Sequence, residues 1–211
     1  MLIEKAEDFD ILKPVLARIL KEIHNLSGCE SVAIRLYRDA DFPYYLQEDF
    51  SDFFIAKENS LNVKDEDGDL VLDADGTPFV ECMCGNVLKR RFNPKLSFFT
   101  EKGSFWTNST AQLLSTLTEE ERREIGRTRN TCHHFGYESV ALIPIKGKND
   151  NLGLIQINDP RENMFTLGKI GEYELIAEQV GELIDKVLKA TDQVFHIIDL
   201  TSKFKNSEKK T

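Results

Sequence analysis

Three of the four cysteines and two of the four histidines of this 211-residue chain fall in two short segments. These are Glu81-Cys82-Met83-Cys84-Gly85 and Thr128-Arg129-Asn130-Thr131-Cys132-His133-His134. Thiols and imidazoles bind transition metals, attack electrophiles and answer to redox state. Cys82, Cys84 and Cys132 with His133, or with His134 in its place, make four soft or borderline donors. Such a set suits zinc, iron or an iron–sulfur cluster. It is not the c-type haem attachment motif, because Arg129 and not a cysteine stands three residues before Cys132. Haem would have to be held by one thioether or by plain axial ligation. The bland alternative is that these cysteines are small buried apolar residues, as free cysteines often are. Cys29 stands apart and reads as packing.

Geometry constrains the first pair. Cys82 and Cys84 are two residues apart, and on a helix they would point about 200° from one another. On an extended segment or tight turn they share a side. Joint chelation therefore requires a helix that begins only after Cys84, with Gly85-Asn86 near its start. A helix N-terminus there would also favour thiolate over thiol.

The elements that must position these residues are legible in hydropathy. Over 9–26, Phe9, Leu12, Val15, Leu16, Ile19, Leu20, Ile23 and Leu26 form the stripe of an amphipathic helix. Pro14 sits in its first turns and Ser27-Gly28 ends it. Residues 31–37 are β-branched and apolar, hence a strand, and 42–47 make a second. Two Asp-Gly turns flank a short apolar run in 62–78, which predicts an exposed hairpin. Its acidic residues lack the frame and the terminal Glu of a calcium loop. Helices are expected over 81–91 and 109–117. Another follows from the capping box Thr118-Glu119-Glu120-Glu121 to about Arg129. Residues 98–108 read as extended or looped. The runs 139–145 and 153–158 are buried strands joined by a polar turn. A long helical stripe starts near Thr166 and includes Ile170, Ile176, Val180, Leu183, Ile184, Val187, Leu188, Val194, Phe195 and Ile198. The lysine-rich end reads as disordered.

Composition closes off several function classes. The net charge of −9 argues against nucleic acid or anionic lipid as a partner. No apolar run approaches the length of a bilayer span, and acidic residues occupy the place of a signal peptide's basic segment. A cytoplasmic location is expected, where clustered cysteines more often mean chemistry than disulfides. The expected architecture is α+β: a central antiparallel sheet with the N- and C-terminal helices packed together on one face.

In order along 30–160, the chain carries Asp41-Phe42-Pro43-Tyr44-Tyr45, Glu58-Asn59-Ser60-Leu61, Glu81-Cys82-Met83-Cys84-Gly85, Phe98-Phe99-Thr100, Gly103-Ser104-Phe105-Trp106-Thr107-Asn108, Thr128-Arg129-Asn130 with Cys132, and 136–144. These blocks resemble GAF domains, most closely a Cys-x-Cys-Gly subgroup found in bacterial and archaeal multi-domain sensor kinases. The resemblance implies a sensory or regulatory role. It also implies a ligand pocket, on the sheet face opposite the terminal helices, that holds a small molecule, haem or a metal, or no cofactor at all. Relatives of the subgroup often carry a cysteine where this chain has Asn62, and His133 or His134 would then replace a lost ligand. Pocket candidates are Tyr44, Tyr45, Phe99, Phe105, Trp106, Arg129, Tyr137 and Glu138. For Trp106 and its neighbouring phenylalanines a core role is the alternative, for Arg129 a pairing with the acidic 119–121 run, and for Glu138 the anchoring of a loop. His24 and His196 read as surface or seam residues.

Two other readings stay open. Free methionine-(R)-sulfoxide reductases are stand-alone GAF proteins, and Cys132 and Cys84 are similarly placed here. Cys132 would attack the sulfoxide and Cys84 or Cys82 would resolve. The chain would otherwise be a ligand-free interaction module. In each case the resemblance implies a homodimer through the terminal helices, and a separate signalling protein is a possible partner. The expected organisation is an N-terminal helix in 1–28, a core in 29–165, the long helix in 166–202 and a disordered tail in 203–211.

Overall fold

The computed structural model describes residues 11–208. Phe9, and with it the start of the expected first helix, lies outside them. Helix α1 (Lys13–Ser27) has Pro14 in its first turn, where a missing amide is tolerated, and Gly28 at φ 61° closes it. The chain then forms β1 (Ser31–Leu36), β2 (Tyr44–Glu48), α2 (Asp52–Glu58), α3 (Cys82–Leu88), β3 (Phe105–Thr107), α4 (Thr110–Thr116), α5 (Glu119–Ile125), α6 (Thr131–His134), β4 (Ser139–Lys146), β5 (Asn151–Asp159) and α7 (Leu167–Glu208). The five strands make one antiparallel sheet in the order β2-β1-β5-β4-β3.

β5 and all but the last residue of β4 are buried, because both faces of the sheet are covered. That is why their sequences read as continuous apolar runs instead of alternating ones. Alternation decides which residue serves which face. Ala141, Ile143, Ile155 and Ile157 meet Leu16, Leu20 and Ile23 of α1 and Ile170, Tyr173, Ala177, Val180 and Ile184 of α7. Val140, Leu142 and Leu154 meet the opposite layer, built from α2 to α6 and an aromatic group that includes Phe50, Phe54, Phe98, Phe99 and Phe105. The terminal helices therefore share one face, as the order of elements implied. Gly181 lets α7 approach the sheet, since a β-carbon there would overlap the Lys146 carbonyl.

Several expectations need correction. The excursion 62–78 is not a single hairpin. It folds as three short legs tied by Val63 N to Phe79 O, Val71 N to Val63 O and Phe79 N to Val71 O, with turns at Gly68 and Gly76. α5 stops at Ile125 and not near Arg129, because Gly126 takes φ 65° and breaks the helix. Two short helices, α2 and α6, carry too few residues to show a periodic stripe and were not anticipated. α7 runs on to Glu208, so residues 203–208 are helical where disorder was expected; 209–211 lie outside the described residues. Among the described residues no helix is long and apolar enough to cross a membrane.

Candidate functional site

On the face opposite the terminal helices, a cavity of about 60 Å³ is lined by Cys82, Cys84, Cys132 and His133. Apolar walls come from Phe105 of β3, Leu113 and Leu114 of α4, Leu117, Ile125, Val140 and Leu142. The two thiol segments do meet, and backbone pairing makes them meet. The Cys82 amide donates to Arg127 O at 3.1 Å, and Asn86 Nδ2 donates to Ile125 O at 2.7 Å. These bonds fasten α3 to the segment that leads into α6. The Tyr137 amide donates to Cys132 O at 3.0 Å and so holds α6 against the start of β4.

The local geometry differs from what joint chelation requires. α3 begins at Cys82, not after Cys84, so both thiols stand on one helix. Cys82 opens it in the left-handed region at φ 70°. Burial pushes the Cys84 thiol well above the ordinary range, even though Arg35 pulls it down. Burial, together with the neighbouring Cys82 thiol, pushes Cys132 up to about 12. Both are therefore thiols, not thiolates, near neutrality. Gln156 Nε2 points at Cys132 Sγ from 3.8 Å. Thr110 Oγ1 donates to Tyr137 O at 2.7 Å, so His133 Nδ1, 3.0 Å from the same oxygen, is the donor of that pair. Among the described residues no three His, Cys, Asp or Glu side chains are grouped as a metal ion needs. Cys82, Cys84, Cys132 and His133 line one cavity but are not gathered closely enough, as they stand, to hold zinc or iron. The space corresponds to about four waters, which is too little for a haem.

The other sequence candidates divide between the two faces. Phe105 and Tyr44 lie on the cavity side. Trp106 and Tyr45 are corrections: each follows a cavity-side residue along a strand, so alternation turns it toward the terminal helices. Phe99 packs inside the aromatic group, 5.2 Å from Phe98 and 5.9 Å from Phe105, and is core, not lining. Tyr137 is buried with its hydroxyl 3.2 Å from Ser31 Oγ. Glu138 anchors the first turn of α4, accepting from Ser109 Oγ at 2.9 Å and from the Ala111 amide at 3.1 Å. Arg129 does not pair with the acidic 119–121 run. It donates twice to Ser60 O at 3.1 Å and stands 3.4 Å from Glu81 and 3.6 Å from Glu58.

Three further residues complete the site. Arg35 of β1 is fully buried. Its guanidinium donates to Phe42 O at 2.8 Å, Glu58 O at 2.6 Å, Asn59 O at 3.3 Å and Gln156 Oε1 at 3.4 Å, and lies 3.5 Å over the Tyr44 ring. Gln156 of β5 also accepts from Tyr44 Oη at 3.0 Å and so links Arg35 to Cys132. Glu58, at the end of α2, is 3% exposed and lines the cavity, and its Oε1 has no hydrogen-bond partner among the described residues. The nearest local signal for Glu58 was the helix start Ser51-Asp52, where Ser51 Oγ caps Phe54 N at 3.2 Å.

No family model matches the chain, and no curated protein matches it. Solved structures match it over most of its length. The blue-light-absorbing form of the PixJ GAF domain from Thermosynechococcus elongatus superposes with a TM-score of 0.56 at 9% identity, covering 92% of this chain and 97% of that one. A domain of a protein described as a two-component sensor histidine kinase from Sinorhizobium meliloti gives 0.53 at 12% identity, covering 86% and 96%. A type II free methionine-R-sulfoxide reductase from Thermoplasma acidophilum gives 0.52 at 7% identity, covering 85% and 96%. Similarity at this level of identity speaks for architecture alone. The chain has the fold of a GAF domain.

Proposed function

We propose that this chain is a sensory or regulatory GAF domain of the Cys-x-Cys-Gly type that reads a small molecule in its thiol-lined cavity. The observation that carries the reading is the convergence of Cys82, Cys84 and Cys132 on one largely apolar cavity. Concave apolar sites with a few converging polar groups are where small molecules bind. A route to an output exists as well. Phe105 lines the cavity, and the turn before it is clasped to α7: Thr100 Oγ1 and Ser104 Oγ both donate to Glu174 Oε1, at 2.5 and 2.7 Å. A ligand that displaces Phe105 would load that clasp and bias α7.

α7 is also the natural seam for a second copy. Its last fully buried residue among those described is Ile184, and the helix runs on to Glu208. With exposed Val15 on α1 and Leu175 on α7, this favours a symmetric homodimer through the terminal helices. The reductase reading is weaker, because attack on a sulfoxide needs a thiolate and burial holds Cys132 and Cys84 protonated.

The test is a fragment screen by protein-detected NMR with molecules of about four to seven heavy atoms, on the native chain and on Leu142→Trp, which fills the cavity. Hits should shift the amides of 82–84, 105 and 131–133, propagate to 174, and vanish in the variant. A screen in which no hit touches those amides removes the sensor reading and leaves the fold.

A further inference from the structure

Among the described residues, Glu58 is the one carboxylate that lines the cavity. It is 3% exposed, and its Oε1 is shut off from solvent without a donor among the described residues. The nearby cations do not supply one. The hydrogen bonds of the Arg35 guanidinium go to the carbonyls of Phe42, Glu58 and Asn59 and to Gln156, none to the Glu58 carboxylate. Arg129 approaches the other oxygen, Oε2, only to 3.6 Å, and its NH1 and NH2 both donate to Ser60 O. It is shared besides with Glu81, 3.4 Å away. Cys84 and Cys132, which line the same cavity, are weak donors. A buried carboxylate oxygen left in this state is costly, and it can only accept.

We propose, resting on the cavity being a ligand site, that it takes a compact organic cation: a primary ammonium against Glu58, whose side chain turns its covered oxygen into the cavity to meet it, with a short hydrocarbon chain toward Leu113, Leu117 and Leu142. An anion is refused by the carboxylate. A neutral alcohol supplies one donor but no charge. An ammonium supplies three donors and a second positive charge beside Arg129, which stands 3.6 Å from Oε2, and a bond to a charged group is stronger than one between neutral groups. The room, about four waters, matches a molecule of about five heavy atoms. Leu113, Leu117 and Leu142 give the hydrocarbon chain an apolar wall, while Thr110, Thr128, Asn130, Thr131 and His133 also line the cavity.

The experiment compares n-butylamine, n-butanol and butyrate at neutral pH by NMR titration of the full chain, with the 82–84 and 131–133 amides as reporters. Butylamine is expected to bind at least about tenfold more tightly than butanol, which is the worth of one charge-assisted hydrogen bond, and butyrate to leave the reporters unmoved. Glu58→Gln should erase the preference while butanol binding stays within about twofold. If butanol or butyrate binds as well as butylamine, the cation proposal fails and the cavity reading survives. If none of the three moves the reporters while the screened fragments do, again only the cation proposal fails; if the fragments fail too, both fall. The ranking of the three probes on the native chain decides the matter even if Glu58→Gln does not fold.

Discussion

Arg35→Met should cost this domain about 3–5 kcal/mol. Arg35 is fully buried, and its guanidinium holds two chain segments that have no strand pairing to each other there: Phe42, and Glu58 with Asn59. Methionine keeps most of the volume but donates nothing. The carbonyls of Phe42 and Glu58, which accept at 2.8 and 2.6 Å, lose their charged donor, and each such loss in a buried place costs about 1–3 kcal/mol. The Tyr44 ring also loses the cation 3.5 Å above it, worth roughly another 1–2 kcal/mol when desolvated. Partial relief by the sulfur and by relaxation brings the sum back to the stated range. For a domain of this size each kcal/mol moves Tm by about 2–4 °C, so the midpoint should fall by roughly 6–20 °C. Urea denaturation followed by circular dichroism gives the free energy, and hydrogen exchange at 59–62 locates the loosening. Arg35→Lys should recover less than half, because an ammonium cannot span the fork of acceptors. A loss below about 1 kcal/mol for Arg35→Met would show that water satisfies those carbonyls, and that Arg35 does not hold the two segments together.

Three further outcomes follow from the thiols and the helices. Cys84 and Cys132 should alkylate with iodoacetamide at pH 8 at least about a hundredfold more slowly in the native protein than in urea, since only the thiolate reacts; equal rates by mass spectrometry would place both sulfurs outside the cavity. Because Cys29 is raised to about 11, Cys132 to about 12 and Cys84 well above the ordinary range, all by burial first, the folded state keeps protons that the unfolded chain releases. Their stabilising contribution is complete below about pH 9 and is lost as pH climbs through those values, with a slope of up to about 1.4 kcal/mol per pH unit for each thiol. A urea midpoint that stays flat from pH 8 to pH 11 would contradict this. Light scattering at micromolar concentration should return about twice 24.2 kDa, and a monomer mass would remove the dimer.

Much of the architecture was legible because it follows from periodicity. The α1 stripe ending at Gly28 and the apolar runs of β4 and β5 each state their burial in their spacing. The site was legible only in part. Chemistry-bearing residue types announced the thiols, and the fold does gather them. What the sequence could not show is the environment that sets their behaviour. Glu58 and Arg35 look like ordinary charged residues on a short helix and a strand; only tertiary packing leaves one with a covered, unpartnered oxygen and makes the other a buried clamp. Tyr45 and Trp106 are a different case, since strand alternation beside Tyr44 and Phe105 already held the answer and aromatic character obscured it.

The left-handed opening of α3 has a bearing on history as well as on chemistry. A residue with a β-carbon at φ 70° sits roughly 1 kcal/mol above where glycine would rest. Cys82→Gly should thus make the protein harder to melt, by a few degrees in a thermal scan. If it does, the sulfur at this position persists against the pull of plain durability, and usefulness of that atom is what keeps it there.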